Sequence, residues 1–74
     1  MRRFIINCMD PLNQLDQNRW AEVSAIDTSQ ARFILRGHDI LKLYERYELV
    51  SSGAADKNAN QPELLNWGGG LACA

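Results

Sequence analysis

The sequence predicts an α+β domain: a small three-stranded antiparallel sheet with one amphipathic helix on one face and an extended C-terminal arm. Three observations predict it. An apolar run at Phe4-Ile5-Ile6 ends at Asp10-Pro11, the stretch from Trp20 to Arg36 alternates with a period near two, and the stretch from Gly37 to Val50 carries a helical apolar face.

Residues Arg3 to Met9 read as a first strand, rich in Phe and Ile and apolar on both sides at Phe4-Ile5-Ile6, which suits a central position. Proline at position 11 removes a main-chain donor and biases Asp10 away from helix, so the strand stops there. The polar segment from Asp10 to Trp20 reads as a connection holding a single helical turn, with Asp10 as N-cap and Pro11 as its first residue.

Beyond it Ala21, Val23 and Ala25 alternate with Glu22 and Ser24, and Ala31, Phe33 and Leu35 alternate with Arg32, Ile34 and Arg36. With Asp27-Thr28-Ser29-Gln30 as turn chemistry between them, this is a hairpin signature. A competing reading joins Thr28 to Arg36 into a helix broken at Gly37.

From Gly37 to Val50 the chain reads as the organising helix. Ile40, Leu43, Tyr44, Tyr47 and Val50 share a face, Lys42, Glu45, Arg46 and Glu48 mostly fall away from it, Asp39 offers an N-cap, and Ser51-Ser52-Gly53 supplies the stop. The domain is thus expected to span residues 1–50. Residues 51–61 are Ser, Gly, Ala, Asp, Lys, Asn and Gln without apolar period and read as a polar linker, and residues 62–74 as a C-terminal docking arm. There is no internal repeat.

Size and composition limit what such a chain does. Its 74 residues make one small domain, and domains this short bury only about 60% of their unfolded surface. With 46% hydrophobic and 23% charged residues and a net charge of -1, it lacks the positive excess of a duplex binder. Cys8 and Cys73 form no disulfide framework, which points to a reducing, cytoplasmic compartment. The Phe4-Ile5-Ile6 run is too short for an export signal, and nothing approaches the roughly 20 apolar residues of a membrane span.

The most suggestive functional feature is the cluster Leu64, Leu65 and Trp67 beyond the polar linker. Trp and Leu on a reaching arm fill a groove on a partner; the competing reading folds them back over the domain's own core. Tyr44 and Tyr47 are candidate partner-binding hydroxyls or, alternatively, core rings with their polar tips at the rim.

Catalysis and metal binding find little support. His38-Asp39 with Cys8 would be the only thiol, imidazole and acid set, and Cys8, His38 and Cys73 lack the close paired spacing of structural zinc. No cofactor is expected. The glycine run ending in Gly69-Gly70 before Cys73 reads as a spacer or, alternatively, as a processing site that would release or modify a C-terminal peptide bearing a reactive thiol. Arg32, Arg36, Lys42 and Arg46 leave weak nucleic-acid binding as a second alternative. The leading expectation is a small non-catalytic interaction module, an accessory subunit, assembly factor or inhibitor. It would bind a protein partner or a second copy through an uncovered sheet surface and the Leu64, Leu65, Trp67 arm.

Overall fold

The computed structural model describes residues 1–55 and 60–73. In chain order it contains β1 (Arg2–Met9), β2 (Arg19–Ala25), α1 (Thr28–Arg36), a 3-10 turn (Leu41–Leu43), β3 (Arg46–Ala54) and β4 (Glu63–Gly69). The strands form one sheet in the order β3-β1-β2-β4, each antiparallel to its neighbours. The class is α+β with one α-helix among the described residues, and the sheet has four strands where three were expected.

The apolar run of β1 sits at the centre, as its two-sided hydrophobicity predicts. Phe4, Ile6 and Cys8 share one face and are buried, and the register sets them beside Val23 and Ala21 of β2 and Ser52, Leu49 and Tyr47 of β3. Ile5, Asn7 and Met9 take the other face. Because β2 and β3 are both antiparallel to β1, they run parallel to each other, and α1 supplies the long crossover such a pair needs.

The helix begins with reciprocal capping. The Asp27 carboxylate accepts the Gln30 N–H at 2.8 Å, and the Gln30 side-chain carbonyl accepts the Ile26 N–H at 2.8 Å. Ala31 and Leu35, one turn apart, are fully buried against the sheet. Phe33, two residues from each and so about 200° round the helix, is 78% exposed. At the end, Gly37 donates its N–H to Ile34.

The middle of the chain departs from two expectations. Residues Thr28 to Arg36 are helix, as the competing reading has it, and Ala31 to Arg36 are not the second strand of a hairpin, because Asp27 and Gln30 cap a helix start instead of forming a turn. The expected helix from Gly37 to Val50 is instead a 3-10 turn followed by β3. Asp39 does not cap that turn, which opens at Ile40, and His38 Nδ1 accepts the N–H groups of Ile40 at 3.1 Å and Leu41 at 3.2 Å. Leu41, Tyr44 and Tyr47 point inward at a spacing of three, whereas Ile40 and Leu43 are exposed.

The linker and arm are also redrawn. Ser51 to Ala54 complete β3, and residues 56–59 of the expected linker lie outside the described residues. Glu63 to Gly69, expected as part of a free arm, pair with β2 as the fourth strand. The connection from Asp10 to Asn18 is polar as expected, but the helical turn expected there is a non-helical turn: no helix lies between β1 and β2, and Asn13 takes a φ of 54°. The Asp10 carboxylate accepts the Leu15 N–H at 2.6 Å, Asn18 Oδ1 accepts the Asp10 N–H at 2.8 Å, and Asp10 O accepts the Asn13 N–H at 3.1 Å. Among the described residues no helix is long and apolar enough to cross a membrane.

Candidate functional site

β4 is an edge strand, and its sequence sets what that edge presents. Leu64 pairs with Val23 and Trp67 with Ala21, so both side chains lie on the helix-bearing face, where they pack half-buried against the core. Between them the register shifts: Leu65 is the extra residue of a bulge and is 38% exposed. The Trp67 indole meets the His38 ring edge-on at 5.1 Å, and the Arg19 guanidinium lies 5.3 Å from its centre. Such contacts fix the orientation of the ring, which stays partly buried.

The two sheet edges differ in charge. β3 carries Arg46 and Glu48, ion-paired at 3.5 Å, and has its own bulge at Val50. β4 has a single charged residue in its seven, Glu63, and its Asn66 side chain accepts the Trp67 N–H at 2.9 Å. Charge on an edge strand discourages another strand from pairing there. By that measure β4 is the more receptive edge.

The three glycines that follow each meet a different demand. A Cβ on Gly68 would come within 2.9 Å of the Trp20 indole nitrogen, and one on Gly69 within 2.5 Å of the Gln17 side-chain oxygen. Gly70 has a φ of +86°, a left-handed conformation that costs glycine little, and donates its N–H to Asn18 at 2.8 Å. The chain then turns back over the helix-free face. There Asn7 Nδ2 donates to Ala72 O at 3.2 Å, and Ala72 N–H donates to Asn7 Oδ1 at 2.8 Å. Cys73 is exposed just beyond.

The other expected site residues are placed as follows. Tyr44 and Tyr47 are buried, their hydroxyls donating to Gln17 O and, at 2.6 Å, to Leu41 O. Cys8 is fully buried, and burial pushes its thiol up to about 12, so it is a neutral thiol at physiological pH and not a nucleophile. The His38 ring nitrogen is committed to the 3-10 turn. Among the described residues no three His, Cys, Asp or Glu side chains come together as a metal set.

Of the basic residues, Arg36 and Lys42 line one open groove with Tyr44, Glu45 and Tyr47, and the Arg36 guanidinium lies 5.6 Å from the centre of the Tyr47 ring. Arg46 belongs with Glu48, and Arg3 with Glu22. The structure therefore gathers Leu64, Leu65 and Trp67 on one edge and keeps the two tyrosines inside. Sequence reasoning passed over Asn7 and Trp20, whose pairing across β1 and β2 is long-range and leaves no local pattern. No protein-family model, curated protein or solved structure matches this chain.

Proposed function

We propose that this chain is a small non-catalytic interaction module, an accessory subunit, assembly factor or inhibitor, that takes a protein partner as an added strand along the outer edge of β4. The observation that carries the reading is a terminal strand with a single charged residue in seven and a half-exposed leucine at its bulge. Strand addition draws affinity from main-chain hydrogen bonds and specificity from the side chains that alternate beside them. Leu65 and the open part of Trp67 would supply that second component, while Leu64 serves mainly to seat the strand. Two free thiols, one of them exposed, fit a reducing cytoplasmic setting.

The test is recovery of the partner on tagged full-length chain. Leu65→Lys places a charge on the edge without opening the core, so the fold should keep its stability to within about 0.5 kcal/mol. Partner recovery should fall about tenfold, the effect of roughly 1.4 kcal/mol in binding. Phe33→Lys, on the far side of the helix, should leave recovery unchanged. Partner retained by Leu65→Lys and lost by Phe33→Lys would move the interface to the helix and end the edge reading.

A further inference from the structure

We propose that Asn7 is the centre of a peptide-binding site on the helix-free face of the sheet, one that reads the main chain of an extended segment, and that Leu71 to Cys73 are its tethered occupant. This stands apart from the β4 edge, since it concerns the opposite side of the central strand.

The pairing itself gives the chemistry of the ligand. Asn7 offers one donor and one acceptor, and both go to the same residue, Ala72, through its carbonyl and its N–H. A neighbouring β-strand addresses a residue in this way, and a side-chain amide has the atoms to imitate it. Nothing in that contact depends on the identity of the clasped residue beyond its being small enough to sit on the sheet. Alanine meets this requirement.

The surroundings suit an extended peptide. Asn7 is 9% exposed, on the central strand, with Trp20 beside it on β2 and Glu48 beside it on β3. Ile5 and Met9, two residues to either side on the same face, are half-buried. The amide thus has Ile5, Met9 and the Trp20 indole around it and the exposed Glu48 on its β3 side, an arrangement in which a few polar groups orient a ligand beside apolar neighbours. The occupant, by contrast, is lightly held. Leu71 is 47% exposed, Cys73 is exposed, and the segment depends on the Asn7 clasp and the turn at Gly70. Tethering raises the local concentration of the tail and so masks the site from peptides in solution.

The experiment uses the full chain and the probe acetyl-Gly-Leu-Ala-Ser-Ala-amide, in which serine replaces cysteine to prevent mixed disulfides. Ala72→Pro deletes the N–H that Asn7 accepts and frees the site without touching the sheet. It should bind the probe at least tenfold more tightly than the unaltered chain, with the Asn7 side-chain amide resonances shifting on titration. Adding Asn7→Leu, which keeps the branched four-atom skeleton and removes both polar atoms, should abolish binding while circular dichroism and the melting temperature confirm the fold. Equal affinity of Ala72→Pro and the unaltered chain, no binding by either, or binding that survives Asn7→Leu would overturn the proposal. So would a concentration-dependent dimer of the unaltered chain that Ala72→Pro dissolves, since the occupant would then be the tail of a second copy.

Discussion

Leu35→Ala is expected to remove about 2–5 kcal/mol of stability, the cost of deleting a fully buried leucine and leaving a cavity. A chain of 74 residues has roughly 4–11 kcal/mol in all, at about 0.05–0.15 kcal/mol per residue. The variant should therefore be partly unfolded at physiological temperature, with its urea midpoint far below that of the unaltered chain. Phe33→Ala, by contrast, should change stability by no more than about 0.5 kcal/mol, because that ring lies in solvent. The pair separates two architectures. In a strand, residues 33 and 35 share a face and both substitutions would be costly; in α1 they lie on opposite sides and only one is. Equal losses at the two positions would contradict the helix.

Stability is also expected to collapse on the alkaline side. The Cys8 thiol titrates near 9.0 when exposed and at about 12 in the folded chain, because burial disfavours the thiolate. Below pH 9.0 the thiol is protonated in both states and its contribution to stability is fully present. As pH rises, the unfolded chain releases the proton first and is favoured by about 1.4 kcal/mol per pH unit, until the folded form ionises as well. Tyr44 and Tyr47, whose hydroxyls are raised chiefly by the same desolvation, act in the same direction at higher pH. Urea midpoints measured from pH 8 to pH 11 should fall steeply in the unaltered chain, and less steeply in Cys8→Ala over the lower part of that range. Identical slopes would remove Cys8 from the account. In the native chain at neutral pH a thiol reagent should modify Cys73 and spare Cys8.

The parts of this fold legible in the sequence are those whose signal is local. β1 declares itself by a run of Phe and Ile closed by Asp10-Pro11, and its central position follows from being apolar on both sides. Ala21, Val23 and Ala25 declare the inward face of β2 by alternation alone. The stretch from Ala31 to Arg36 misleads because its apolar residues satisfy a period of two, yet the sheet selects only Ala31 and Leu35, one helical turn apart. The sharper signal was Asp27 with Gln30 three residues on, a capping pair rather than a turn.

From Ile40 to Val50 the opposite error operates. Ile40, Leu43, Tyr44, Tyr47 and Val50 imitate a helical face, yet of these only Tyr44 and Tyr47 are buried, together with Leu41, where a 3-10 turn feeds a strand. Tyr47, Leu49 and Val50 have the aromatic and branched character that strands favour, and that preference prevails once β1 offers a partner. The fold-back of Leu64 and Trp67 was an open alternative, and its cause is tertiary: β2 has a free edge that β4 fills. The Asn7 clasp was not legible at all, since its two partners stand 65 positions apart.

Residues 63–69 belong to the sheet, and the proposed partner adds to their outer edge. Amide hydrogen exchange, resolved by residue on the free chain and again with partner bound, tests this arrangement most directly. In the free chain the β4 amides directed at β2 should exchange slowly while those on the outer edge exchange fast, and the partner should slow the outer set. Uniformly fast exchange across Glu63 to Gly69, or protection by the partner confined to α1 and β3, would contradict it.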